Sequence, residues 1–245
     1  LGNTMIMKPS ELVPLSTVRM AELLKEAGLP DGVFNIVNGG KEVVEAICDH
    51  PDIKAVSFVG STKVAKLVYI RATSNLKRCV ALGGAKNHLI VLPDANPQMT
   101  ASNVVASMSG CAGQRCMAAS VMVGVDKVQH IIDKMVEEAK KIVPGDNLGS
   151  VISAEAKARI EGYINEAERN GAKILLDGRH ATVSGKEGGF YVGPTIIDYV
   201  TTDMSVAREE IFGPVISIIR AKDLDEAIDI ENGSNYGNAA AVFTQ

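Results

Sequence analysis

The apolar positions in the first third of the chain fall into short runs separated by segments of helical spacing. The run "TMIM" (4–7) reads as a strand. In "LSTVRMAELLKEAG" (15–28), Leu15, Val18, Leu23, Leu24 and Ala27 recur near the 3.6-residue period until Gly28 and "LPDG" end the helix. "VFNIV" (33–37) and "AVSFV" (55–59) are two further strands, with "KEVVEAICDH" (41–50) as the helix between them. Strand, helix, strand, helix predicts a parallel sheet joined by crossover helices. A polar or glycine-bearing turn follows each strand: "KPSE", "NGG" and "GST". Open parallel sheets bind ligands beyond the carboxyl ends of their strands, so these three turns are expected to share one rim.

Beyond residue 83 the same alternation resumes with longer helices. "HLIVL" (88–92) and "VMVGV" (121–125) read as strands around the helix "NPQMTASNVVASMSG" (96–110). Two helices follow, 128–142 and 154–172, whose stripes Ile131/Met135/Ala139 and Ala158/Ile160/Ile164/Ala167 are ordinary core faces. "KILLDG", "TIIDYV" and "VISIIR" supply strands, and "LDEAIDIENG" a last helix. With no internal repeat and no low-complexity linker, the simplest division is two α/β domains joined near "LGGAKNH", at 1–82 and 83–245.

Composition narrows the function. The chain has 245 residues, 46% of them hydrophobic, with Lys+Arg 25 against Asp+Glu 29 and no long run of like charge. That balance argues against nucleic-acid and membrane partners. No apolar run reaches the length of a membrane span, and nothing resembles a signal peptide. The four cysteines, Cys48, Cys79, Cys111 and Cys116, lack zinc-type spacing and the density of a disulfide scaffold, which predicts reduced thiols inside a cell. Both ends, "LGNTMIMKPSE" and "AAAVFTQ", read as cutting through strands, so the sequence is expected to be an internal piece of a longer protein.

Several positions bear chemistry, each with a structural alternative. Lys8 and Glu11, just after the first strand, could meet ribose hydroxyls or phosphate; alternatively Lys8 is solvated and Glu11 caps the next helix. Gly60 and Ser61 open a helix whose free N–H groups suit a pyrophosphate, or Ser61 is a plain N-cap. Cys116, in "SGCAGQRC", follows a small-residue helix, and the adjacent Arg115 would favour its thiolate. The alternative is a buried cysteine, the reading preferred for Cys48, Cys79 and Cys111. Glu210 and Phe212, in "REEIFGPV", could hold hydroxyls and pack on a flat ring. The four histidines are scattered, and there is no GxGxxG, Walker loop or GxSxG. Without an evident base, covalent capture of a carbonyl by a thiolate fits Cys116 better than a Cys–His hydrolase.

In order, "GNTMIMKPSE", "GLPDGVFNIVNG", "FVGST", "LGGAKN", "GQRC", "REEIFGPV" and "YGNAAAVFT" resemble the aldehyde dehydrogenase superfamily across essentially the whole chain. "DHPDIKAVSFVGS", "GAKNH", "LPDAN", "GQRCMA", "LLDGR" and "VGPTII" resemble its coenzyme A-acylating, methylmalonate-semialdehyde branch. The resemblance implies the C-terminal part of a Rossmann-type NAD-binding domain followed by an α/β catalytic domain incomplete at its C-terminal end. It implies Cys116 as nucleophile and Arg115 as the group meeting the substrate carboxylate. It also implies Lys8 and Glu11 on the adenine ribose, Gly60 and Ser61 at the pyrophosphate, and Glu210 and Phe212 at the nicotinamide ribose and ring.

Hydrolytic members carry a glutamate immediately before "LGG", where this chain has Ala81, which implies transfer to coenzyme A rather than water. The implied reaction is NAD-dependent oxidation of methylmalonate or malonate semialdehyde to propionyl-CoA or acetyl-CoA with loss of carbon dioxide or bicarbonate. The alternatives are a hydrolytic aldehyde dehydrogenase giving a free acid, or a catalytically dead binding module. "LGSVIS" and "SVAREEIFGP" depart from the branch and leave the exact semialdehyde open. The asparagine that completes the family's oxyanion hole lies upstream of this sequence, so the piece alone is expected not to turn over. The resemblance further implies a homodimer or homotetramer, in the mitochondrial matrix of a eukaryote or the cytoplasm of a bacterium.

Overall fold

The computed structural model describes residues 2–245. The chain divides into two compact units, one ending at Gly84 and the other spanning Ala85–Gln245.

The first unit runs β1 (Met5–Met7), α1 (Leu15–Glu26), β2 (Phe34–Ile36), α2 (Lys41–Asp49), β3 (Ala55–Val59), α3 (Thr62–Ser74) and β4 (Arg78–Leu82). Its strands form two separate parallel ladders, β1 with β2 and β3 with β4, where the sequence predicted one continuous sheet. The strand β4 was not anticipated. "RCVAL" is short and abuts the glycines of the presumed junction, so only its pairing with β3 reveals it. In β3 and β4 alternate residues pack inward, and Val56, Phe58 and Cys79 surround the buried Cys48, Val68 and Ala72. That is a small core, and α1 contributes no fully buried residue to it.

The second unit runs β5 (Asn87–Val91), α4 (Pro97–Ser109), β6 (Ala119–Val125), α5 (Gln129–Ala139), α6 (Ala154–Arg169), β7 (Lys173–Leu176), β8 (Thr195–Asp198), α7 (Ser205–Arg208), β9 (Val215–Ala221), α8 (Leu224–Asn232) and β10 (Ala240–Phe243). These strands build one six-stranded sheet in the order β10-β5-β6-β9-β8-β7, parallel except that β7 runs antiparallel to β8. The central strands are apolar on both faces, as strands covered by helices on both sides must be. Val121, Val123 and Val125 of β6 join Ile160 and Ile164 of α6 in one cluster. Met122 of the same strand joins Val104, Met108, Ile131 and Met135 of α4 and α5 in the other. Burial on this scale anchors the loops at the strand ends, one of which carries Cys116. Among the described residues no helix is long and apolar enough to cross a membrane.

Candidate active site

Cys116 sits in an irregular loop between α4 and β6. The helix stops at Ser109, and Cys111, Ala112 and Gly113 then adopt successive left-handed conformations, with φ of 53°, 53° and 70°. Two glycines make the reversal possible. A Cβ on Gly110 would stand 2.4 Å from an Arg115 guanidinium nitrogen, and one on Gly113 would stand 2.0 Å from the Gly213 carbonyl oxygen. The second contact is backbone on backbone. It brings the "GQRC" loop against the "IFGP" turn, which are a hundred residues apart in sequence.

Gln114 secures the loop in two directions: its amide NH2 donates to the Cys111 carbonyl at 3.1 Å and its Oε1 accepts from the Ile152 N–H at 2.8 Å. Arg115 Nη2 donates to the carbonyls of Ala106 and Ser107 at 3.2 and 2.8 Å. The guanidinium therefore covers the C-terminal end of α4, where the helix dipole favours a cation, adding to the Gly110 N–H that already meets the Ala106 carbonyl. Sequence reasoning gave Arg115 only the thiol and a substrate as partners and missed this third role.

Cys116 is exposed, and its backbone N–H has no hydrogen-bond acceptor among the described residues. Cys111 is exposed as well, which corrects the expectation that it packs in a core; the left-handed turn swings it outward. Cys48 is buried as expected, and Cys79 is half-buried.

One cleft in the second unit is lined by Cys116, Arg115, Glu210 and Phe212, together with Ala85, Asn87 and Gly213. Four predicted site residues from two distant motifs thus meet. Glu210 Oε1 accepts the Ala85 N–H at 3.2 Å. Phe212 holds a positive φ of 54°, a strained conformation for an aromatic residue and a common mark of functional turns.

Lys86, the buried neighbour of Ala85, was not singled out from sequence. Its ammonium nitrogen has no hydrogen-bond partner among the described residues, and burial pushes its pKa down to about 7 against the opposing pull of Glu210 and Glu209. The neighbouring His88, also buried, places Nδ1 2.8 Å from Glu231 Oε2. Burial, helped by the Lys86 charge, lowers the imidazole to about 4, and burial raises the Glu231 carboxyl, so the histidine is neutral at physiological pH.

The other four predicted residues lie in the first unit. Lys8 Nζ donates to the carbonyls of Pro9 and Gly39 at 2.5 and 2.8 Å and lies 3.4 Å from Glu11. Lys8 is therefore not simply solvated. Glu11 caps no helix: α1 has Pro14 at its N-cap and no side-chain capping bond. Its own backbone N–H and then Lys8 hold the Glu11 carboxyl below the usual range. The Lys8 contact joins the "KPSE" and "NGG" turns, two of the three expected on one rim. Gly60 belongs to a different contact set, because β2 and β3 are not paired: its N–H donates to Leu82, and Thr62 Oγ1 accepts the Gly84 N–H at 3.0 Å. Ser61 is the N-cap residue of α3, yet its hydroxyl makes no capping bond, so it is not the plain side-chain cap that was the alternative. A Cβ on Gly60 would meet the Phe58 ring at 2.6 Å, a packing reason for that glycine.

A model of the aldehyde dehydrogenase family matches residues 1–245. The chain belongs to that family. It is 48% identical over 250 residues to malonate-semialdehyde dehydrogenase 2 of Bacillus thuringiensis, covering 99% of this chain and 51% of that protein. To the human mitochondrial methylmalonate-semialdehyde/malonate-semialdehyde dehydrogenase [acylating] it is 47% identical over 249 residues, covering 99% and 46%. Among solved structures, a methylmalonate-semialdehyde dehydrogenase of Sinorhizobium meliloti complexed with NAD superimposes with a TM-score of 0.96 at 44% identity, over all of this chain and 51% of that one. The chain therefore spans about half the length of the family relatives it matches.

Proposed function

We propose that this chain carries the thiol and much of the cofactor-binding surface of an NAD-dependent, coenzyme A-acylating semialdehyde dehydrogenase. The observation that carries the reading is the meeting of Cys116, Arg115, Glu210 and Phe212 in one cleft of a chain close to the semialdehyde dehydrogenases. The Cys116 thiolate attacks the aldehyde carbon, and the unpaired Cys116 N–H donates to the oxygen as it becomes negative. Arg115, as a planar multiple donor, faces the substrate carboxylate with the guanidinium N–H groups that α4 leaves free.

NAD bound here would supply the acceptor for the hydride lost from the thiohemiacetal carbon, so that Cys116 is left carrying a thioester. The residues fit such a group. The Glu210 carboxylate has one oxygen on Ala85 and the other available to ribose hydroxyls, and Phe212 offers a partly exposed ring. In the first unit Lys8 and Glu11 suit the adenine ribose. The N-terminus of α3, behind Gly60 and the uncapped Ser61 hydroxyl, suits a pyrophosphate. Coenzyme A thiolate then displaces Cys116 from the thioester, restoring the thiol. The bond to the β-carboxylate breaks with loss of carbon dioxide (hydrated to bicarbonate), its electron pair stays on the α carbon as the thioester enolate and a solvent proton is taken up there, so malonate semialdehyde gives acetyl-CoA and methylmalonate semialdehyde gives propionyl-CoA. Ala81 supports a thiol acceptor, since no carboxylate stands at that position to activate water. The identity to mitochondrial and bacterial relatives supports a mitochondrial matrix or bacterial cytoplasmic setting according to source, and assembly as a homodimer or homotetramer completes the reading.

Cys116→Ala tests the reading. In a full-length enzyme carrying this chain, NADH formation from malonate semialdehyde is expected to vanish in the variant, and continued multiple turnover by it would overturn the reading.

A further inference from the structure

The carbonyl of Cys116 is held by two side-chain amides from opposite parts of the second unit. Asn87 Nδ2, at the start of β5, donates to it at 2.8 Å, and Asn238 Nδ2, in the turn before β10, donates at 2.9 Å. A carbonyl oxygen has two lone pairs, so the pair of donors saturates it. Asn87 is buried and fixed in orientation: the same nitrogen donates to the Ala118 carbonyl at 2.8 Å, and its Oδ1 accepts the Ala239 N–H at 3.2 Å. Exchanging its amide O and N would break three contacts. Asn238 is exposed, and among the described residues its one side-chain bond is to Cys116.

The surroundings explain why such a device is needed. Residues 114–118 belong to no helix or strand, and neither the Cys116 nor the Met117 N–H has an acceptor among the described residues. The Ala118 N–H donates to the Arg115 carbonyl at 3.1 Å and closes a turn around Cys116 and Met117, but that bond is compatible with either orientation of the central peptide, so the local backbone does not by itself set the 116–117 plane. Anchoring its oxygen at two points fixes ψ of Cys116, and with it the attitude of the Cα–Cβ bond and of the Cys116 N–H.

We propose that Asn87 and Asn238 act as positioning residues, a two-amide clamp on the Cys116 carbonyl that orients the thiol and its unpaired N–H toward the incoming aldehyde. The inference rests on Cys116 being the nucleophile. Neither amide touches substrate; both act through the peptide they hold.

Asn238→Ala is the decisive variant, because the residue is exposed and its removal leaves no buried group unpaired. In a full-length enzyme carrying this chain, assayed with malonate semialdehyde, NAD and coenzyme A, kcat is expected to fall about tenfold, as one of the two anchors on the nucleophile's peptide is lost, with KM for NAD within about twofold. A direct signature accompanies it. The dipeptide Cys-Met occurs once in the sequence, so carbonyl-13C cysteine with 15N-methionine gives a single correlated resonance, that of Cys116–Met117. Its carbonyl shift is expected to move upfield in Asn238→Ala. Asn87→Ala is expected to show the same pattern more strongly; should that buried substitution prevent folding, Asn238→Ala alone decides.

An unmoved carbonyl shift, an unchanged kcat, or a kcat loss matched by a rise in KM for NAD overturns the clamp. Cys116→Ala, run in parallel, separates the two levels. A dead Cys116→Ala beside a fully active Asn238→Ala rejects the clamp alone, whereas an active Cys116→Ala rejects the nucleophile.

Discussion

Gly113 and Lys86 show most plainly how single residues set the site. Gly113 combines a positive φ with a backbone neighbour where a Cβ would stand, and no rotamer change relieves a clash with the Gly213 carbonyl. Gly113→Ala is therefore expected to destabilise the second unit by about 3 kcal/mol or more, read as a lowered urea midpoint; a midpoint equal to the parent's would show that the two loops move apart freely. Lys86 has a pKa of about 7 when folded and the ordinary lysine value, about 10.4, when unfolded. Between those values the unfolded chain holds a proton that the folded chain lacks, so stability rises with pH across that window. The penalty is full below about 7 and gone above the unfolded value. Lys86→Met should raise the urea midpoint at pH 7 and raise it less at pH 9, and a gain that does not change with pH would refute the account. Sequence showed "AKN" only as part of a motif; burial at residue 86, which makes its charge costly, appears only in three dimensions.

At the scale of elements, α4 is the platform on which the cysteine loop is built, and both of its ends are specified. Asn96 accepts the Met99 N–H at 2.9 Å and Pro97 occupies the first turn. Arg115 returns to the other end. Asn96→Ala should cost about 1 kcal/mol in denaturant unfolding; no measurable loss would mean that the helix start is held by packing alone. Helices and strands with strong periodicity were legible from sequence: β3 runs Ala55–Val59 and α6 starts at Ala154, both as expected. The helix around Pro97–Ser109 and the strand near Val121–Val125 were equally plain. The antiparallel β7 and the unannounced β4 were not, because a strand's sequence specifies its faces but not the neighbour whose hydrogen bonds it shares.

For the whole molecule, the chain's likeness to acylating dehydrogenases and the alanine at 81 lead to one experiment. In a full-length enzyme carrying this chain, multiple turnover of malonate semialdehyde is expected to require coenzyme A, and its omission should reduce steady-state NADH formation at least tenfold, since an unassisted water attacks a thioester slowly. Undiminished turnover to the free acid would instead support a hydrolytic enzyme. Each unit has its own core, the larger one doubly covered by helices and the smaller built around Cys48, Val68 and Ala72.

Sequence alone determined the alternating α/β architecture, the family, and the residue types available for thiol chemistry, because periodicity and motif order are written locally along the chain. Tertiary structure alone decided that Cys111 faces solvent, that Arg115 also covers a helix end, and that Asn87 and Asn238 converge on one carbonyl. Those outcomes depend on φ values, on close backbone approaches and on hydrogen bonds between residues far apart in sequence. Such bonds leave no local pattern: an asparagine that holds a distant peptide and one that faces only water are the same letter.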